Sequence, residues 1–211
     1  MDIDVLSDTI CPWCYIGKKR LQRAAAERES LDLQIFWRPF QLDPTLPPEG
    51  IDRKTYMKRK FGDRDMRGAY EALREAGDQE GIDFAFEDIK RTPNTFDSHR
   101  LIRWAGSAGC QDKVVDLLFE AYFEQGRDIG TADVLVEIAG DTDMDASLVK
   151  DLLDTDADRD LIAREMTLAH QMGVQGVPYF IADHKSAIVG AQESDVLVKL
   201  MDHAAQDSSP S

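Results

Sequence analysis

The chain reads as an α/β protein whose one sheet is assembled from both ends of the sequence and split by an inserted all-helical domain. Three observations predict this. Short runs with strand-like alternation fall near the two ends. Between about residues 52 and 172 the apolar positions recur at helical spacing instead. A pair of cysteines, Cys11-Pro12-Trp13-Cys14, stands directly between the first strand-like run and the first helix-like run.

Taken in order, residues 2–6 form the first strand, and a helix follows from Cys11 to about Arg28, with Cys14, Leu21, Ala24 and Ala25 on one face. Leu33, Ile35 and Trp37 alternate as a second strand that ends before Pro39. Pro44, Pro47, Pro48 and Gly50 then make a loop that marks a boundary. In the middle of the chain, Met66, Ala69, Tyr70 and Leu73 share a helix face. So do Val114, Leu117, Leu118, Ala121 and Tyr122, and again Leu161, Ile162, Met166, Ala169 and Met172. Asn94 with Asp97, and Thr131, have the chemistry of helix starts, and Gly109 and Gly173 that of helix stops. Ile82, Phe84 and Phe86 give the one extended-looking interruption. Strands return at Tyr179–Ile181 and Ala187–Val189, joined through a turn at Asp183 and His184, and a last helix runs from about Glu193 to Ala205.

Strand–helix–strand followed by strand–strand–helix is the order of a thioredoxin-like fold. The expected partition is 1–50 with 157–205 as that domain, 51–156 as the inserted helical domain, and 206–211 as a frayed tail. A right-handed crossover between the first two parallel strands puts the start of the Cys11 helix at the carboxyl end of the first strand, where open α/β sheets place their sites.

Composition narrows the function. The net charge is −15, from 40 acidic against 25 basic residues, with 28 aspartates and only 10 lysines. No basic patch is present to attract phosphate backbones, which argues against a nucleic-acid partner. No apolar run approaches the roughly 18 residues of a membrane span. Met1-Asp2-Ile3-Asp4 lacks the basic start and apolar stretch of a secretory signal; taken as the native start, it predicts a cytoplasmic protein. An acidic face is ordinarily a solvated face, but acidity throughout the chain also predicts a halophilic protein.

The chemistry is expected at the cysteine pair. A thiol in the first turn of a helix faces unpaired backbone N–H groups and the positive end of the helix dipole, which favour thiolate. The thiolate is the nucleophile of disulfide exchange, and Cys14, one turn further in, is near enough to close a small ring. A zinc site would call for four ligands; only Cys110 remains, and His99, His170, His184 and His203 form no ligand-spaced pair. A structural disulfide closing a two-residue loop would remove little unfolded-chain entropy. Cys110 reads as an inert thiol, His99 as a satisfied helix residue, and Asp8 as a solvated turn residue, with an influence on Cys11 as its alternative.

The run Ser7-Asp8-Thr9-Ile10-Cys11-Pro12-Trp13-Cys14-Tyr15-Ile16-Gly17 resembles the active-site segment of DsbA-like thiol oxidoreductases, in particular the FrnE-like branch. Four more segments are similar to that branch: Arg38-Pro39-Phe40-Gln41-Leu42, Pro93-Asn94-Thr95 with His99-Arg100-Leu101, Gly173-Val174-Gln175-Gly176-Val177-Pro178, and Gly190-Ala191-Gln192. The resemblance implies that Cys11 attacks and Cys14 resolves, that Pro12 and Trp13 tune the pair, and that Val177-Pro178 forms a cis-proline loop offering its backbone to substrate. It also implies that Asn94 lies near the cleft, a role compatible with capping the helix that follows. The activity implied is a dithiol–disulfide exchange with protein or low-molecular-weight thiol substrates. No cofactor is bound beyond the Cys11–Cys14 disulfide itself, glutathione is a co-substrate to consider, and the protein is a monomer or homodimer. Two alternatives stand beside it. One is a glutathione-dependent isomerase or transferase similar to 2-hydroxychromene-2-carboxylate isomerases and kappa-class glutathione transferases, where serine typically replaces the first cysteine. The other is a non-enzymatic redox-sensing or chaperone-like binding protein.

Overall fold

The computed structural model describes residues 1–206. Its elements are β1 (Asp2–Ser7), α1 (Pro12–Ala26), β2 (Gln34–Pro39), β3 (Ile51–Asp52), α2 (Arg53–Phe61), α3 (Arg67–Gln79), β4 (Arg91–Thr92), α4 (Phe96–Ser107), α5 (Gln111–Phe123), α6 (Ala132–Gly140), α7 (Ala146–Leu153), α8 (Arg159–Gln171), β5 (Tyr179–Ala182), β6 (Ser186–Val189) and α9 (Ser194–Gln206). The main sheet has the order β2-β1-β5-β6. β1 and β2 are parallel, and β1–β5 and β5–β6 are antiparallel. This is the thioredoxin-like arrangement, with β1 in the middle carrying the cysteine loop at its carboxyl end.

Side-chain alternation along the strands separates two cores. Ile3 and Val5 of β1 pair in register with Ala182 and Phe180 of β5, and all four join the large core that includes Cys14, Ile16, Leu21 and Leu197 of α1 and α9. Leu6 points the other way and packs with Phe40, Ala169 and Val174, so α8 covers that face. The large core continues without a break into Leu101, Leu118, Phe119 and Phe123 of the insertion.

The β5–β6 hairpin closes on Asp183 and His184, which have φ values of 48° and 56°. Positive φ at both central residues is what a type I′ turn requires. Asp183 also clips the hairpin to β1, its carboxylate accepting from the Asp2 N–H at 2.8 Å and its own N–H donating to the Asp2 carbonyl at 2.8 Å. Gly109 and Gly173 end α4 and α8 at φ values of 75° and 82°, as helix-stopping glycines do.

Four expectations need correction. β2 runs through Pro39 rather than ending before it; it is an edge strand, where a missing N–H leaves no ladder bond unmade, and Phe40 N–H resumes pairing with the Ser7 carbonyl at 3.1 Å. Ile82, Phe84 and Phe86 form no strand: they are a loop whose three side chains insert into the core, so their alternation reports burial, not a ladder. The insertion is not wholly helical, because β3 and β4 pair across Ile51–Thr92 and Asp52–Arg91. Gln206, placed in a frayed tail, belongs to α9; the remainder of that tail, 207–211, lies outside the described residues.

Candidate active site

Cys11 is the N-cap of α1, in an extended conformation, and Pro12 occupies the first helical position. Proline suits that place because the N–H it lacks would have had no helical partner. The Cys11 carbonyl receives the N–H groups of Cys14 and Tyr15 at 3.0 and 3.3 Å, and the Cys11 N–H donates to the Asp8 carbonyl at 3.0 Å. The thiol points across to the 173–178 loop, its sulfur 3.7 Å from the Val177 carbonyl oxygen. The Val177–Pro178 bond is cis.

The two thiols differ. Cys11 keeps a sliver of exposure and Cys14 has none (4% against 0%). Burial pushes the Cys14 thiol well above the ordinary cysteine range, and its hydrogen bond to Cys11 and the charge there push it further. The Ser7 hydroxyl and the Asp8 backbone only partly offset this. Cys14 is therefore a protonated, sheltered partner, while Cys11 keeps slight exposure and is followed in the chain by the exposed Trp13. All three cysteines are free thiols in this structure. Cys110 sits buried as the N-cap of α5. Among the described residues, no group of three or more His, Cys, Asp or Glu side chains could hold a metal ion.

Asn94 lies one residue ahead of the α4 N-cap, which is Thr95. Its side-chain oxygen accepts from Phe96 N–H at 2.9 Å and from Gln41 at 3.0 Å, and its amide donates to the Leu46 carbonyl at 2.7 Å. These bonds tie the start of α4 to the 41–46 loop.

Two features escaped the sequence reading. Asp8 is not a solvated turn residue; it is fully buried, its Oδ2 accepting from Leu42 N–H at 2.7 Å. Its neighbour His99 is also buried and bonds the Phe40 carbonyl at 3.0 Å. The second is Gly17. A Cβ there would stand 2.9 Å from the Pro178 ring and 3.2 Å from Phe180. Glycine at this helix position is what lets the proline loop lie against α1, one turn beyond Cys14.

Residues 2–202 match the family of DSBA-like thioredoxin domains, and the chain belongs to it. Among solved structures it is similar to a probable DsbA oxidoreductase of Streptomyces coelicolor, at 28% identity and a TM-score of 0.90, covering 100% of this chain and 92% of that one. A 2-hydroxychromene-2-carboxylate isomerase superposes with a TM-score of 0.75 at 16% identity, over 98% of this chain and 97% of that one. The cytosolic disulfide reductase DsbM of Pseudomonas aeruginosa, in a structure with glutathione, superposes with a TM-score of 0.65 at 16% identity, over 98% and 96%. At those identities the last two speak to the fold alone.

Proposed function

We propose that this chain is a dithiol–disulfide oxidoreductase that exchanges disulfides with protein or small-thiol substrates through Cys11 and Cys14. The observation that carries the reading is the asymmetry of the pair: a sheltered, protonated Cys14 behind a Cys11 that caps a helix and faces the Val177-Pro178 loop. Cys11 thiolate attacks one sulfur of a substrate disulfide, whose other sulfur leaves as thiolate. Cys14 then loses its proton and attacks Cys11, releasing the second substrate thiolate and leaving a Cys11–Cys14 disulfide. Two electrons pass to the substrate; the reverse sequence oxidises a dithiol. Pro12 and Trp13 set the surroundings of the pair. Val177 and Pro178 form the wall that an extended substrate meets, and Asn94 frames the cleft from the side of α4. Glutathione, present with DsbM, is the small thiol to offer first. The reading includes a cytoplasmic setting, a monomer or homodimer, and 51–156 as the inserted domain; among the described residues no helix is long and apolar enough to cross a membrane.

Titration of the Cys11–Cys14 pair against glutathione redox buffers tests this. A disulfide should form between these two cysteines and not with Cys110, Cys11→Ser should abolish exchange, and Cys14→Ser should accumulate a mixed disulfide on Cys11. A pair that stays reduced across the whole glutathione range sinks the proposal. The fold shared with the isomerase favours a second reading, glutathione-dependent isomerisation. It is separated by the same variants, because isomerisation needs no resolving thiol and would survive Cys14→Ser.

A further inference from the structure

We propose that Asp8, with Thr9 beside it, is the positioning anchor of the thiol pair and sets how fast Cys14 resolves a mixed disulfide held on Cys11; the inference rests on the oxidoreductase reading above. A fully buried carboxylate is rare unless its oxygens are satisfied. Here only half of that requirement is met. Oδ2 takes the Leu42 N–H at 2.7 Å, whereas Oδ1 has no hydrogen-bond partner and faces His99 Nε2 at 3.6 Å. That ring nitrogen bonds the Phe40 carbonyl at 3.0 Å, and a carbonyl can only accept, so the proton on Nε2 is already engaged. Such an arrangement costs stability, and its geometry shows what it holds in place.

The backbone of Asp8 holds Cys11 directly and Cys14 through it. Its carbonyl fixes the Cys11 N–H at 3.0 Å, and the Cys11 carbonyl in turn takes the Cys14 N–H at 3.0 Å. The carboxylate then fastens this same residue to the 40–42 segment. Thr9 adds a tether to α4, its hydroxyl 2.8 Å from that of Ser98, which in turn donates to the Thr95 carbonyl at 2.7 Å. The loop that presents the sulfurs is thereby bolted on two sides, to the segment that follows β2 and to α4 of the insertion. Resolution is the step most sensitive to this bolt. Cys14 has no exposure with which to adjust, and its sulfur must meet the Cys11 sulfur in line with the departing substrate thiolate.

The test uses the full chain, with oxidised glutathione as substrate. Acid quenching and mass spectrometry follow the glutathione adduct on Cys11, and iodoacetamide labelling of Cys11 serves as the reference for the attacking thiol. In Asp8→Ala the adduct should persist about tenfold longer, within the roughly 100-fold that an ångström of misplacement costs, while Cys11 labelling changes by no more than about twofold. Asp8→Asn keeps an acceptor for Leu42 N–H and should restore most of the resolving rate. Thr9→Val, which keeps the shape and loses the Ser98 bond, should lengthen the adduct's life in the same direction, and it decides the matter if Asp8→Ala does not fold. An adduct lifetime within about twofold of the parent chain in folded Asp8→Ala, or in Thr9→Val where that variant decides, overturns the anchor alone; so does a loss of Cys11 labelling by the same factor as resolution. A parent chain that never forms a Cys11–Cys14 disulfide overturns the oxidoreductase reading itself, and the anchor with it.

Discussion

Single residues decide how the proline loop meets the thiol helix. Gly17 shows this as a contest of magnitudes. Alanine in a helix interior gains about 1 kcal/mol over glycine, but the added Cβ would press on the Pro178 ring at 2.9 Å, and overpacking of that kind costs about 1–3 kcal/mol. The difference is a net cost of about 0–2 kcal/mol, modest in stability, whereas the displacement of the ring is not offset at all. Gly17→Ala should therefore lower the melting temperature by no more than about 8 °C while disulfide exchange slows by about tenfold, measured as turnover of a fluorescent disulfide peptide. An exchange rate equal to the parent's would show that the loop tolerates displacement. Tyr122 offers a pH readout at the same scale. Burial pushes its hydroxyl up to about 12 from an ordinary value of 10.0. The unfolded chain then releases this proton first, so the contribution is fully present below pH 10 and is lost as pH rises through about 12. Over that window the shift corresponds to roughly 2–3 kcal/mol, and Tyr122→Phe should flatten that part of the urea-unfolding profile.

Among elements, the join between the two parts of the chain is made by charge in a sheltered place. Arg20 and Glu80 bond at 3.0 Å with side chains 6% and 4% exposed, linking α1 to the end of α3. Arg20 also reaches the Ala191 carbonyl at 2.7 Å and Glu193 at 2.6 Å, and Arg23 joins Glu80 at 2.8 Å, which brings in the approach to α9. Without Glu80, Arg20 keeps Glu193 and the Ala191 carbonyl, so the loss is that of charge-assisted hydrogen bonds, about 1.5–3 kcal/mol. Glu80→Ala should lower stability by that order in urea unfolding, and hydrogen exchange in α3 should accelerate more than in β1. A loss below about 1 kcal/mol would class the pair with exposed bridges. Arg100 works similarly inside the insertion, its guanidinium bonding the carbonyls of Leu152, Thr155 and Ala157 between 2.7 and 2.8 Å. Only a rigid fork of donors serves that many acceptors at once, and a cation suits the C-terminal end of α7.

At the scale of the whole molecule, excess charge dominates. With 40 acids and 25 bases, at least fifteen carboxylates have no base to pair with even if every base is used. The Debye length falls from about 30 Å at 0.01 M to about 3 Å at 1 M salt, so molar salt removes most of the mutual repulsion. Screening also weakens the attractive surface pairs, but these are worth only about 0–1 kcal/mol each. The repulsive excess wins, and melting temperature and exchange activity should both rise with KCl between 0.1 and 3 M. A flat melting curve over that range would assign the acidity to solubility alone.

The sequence by itself determined the order of the elements, the split of the sheet by the insertion, and the thiol pair at the end of β1. Those features rest on local periodicity, on proline and glycine chemistry, and on the position of Cys11-Pro12-Trp13-Cys14, all of which are written in neighbouring residues. It was misled where an alternating pattern at Ile82, Phe84 and Phe86 came from core burial, and where an aspartate beside a turn carried the default expectation of solvent. Only the tertiary structure decided that Asp8 is buried against Leu42 and His99, that Gly17 is a contact surface for Pro178, and that Cys14 is the sheltered thiol of the two. Each of these depends on groups that are distant in sequence and meet only when the sheet closes. Burial of a charge and the space left by a missing Cβ are properties of the neighbours that arrive, which no local pattern records.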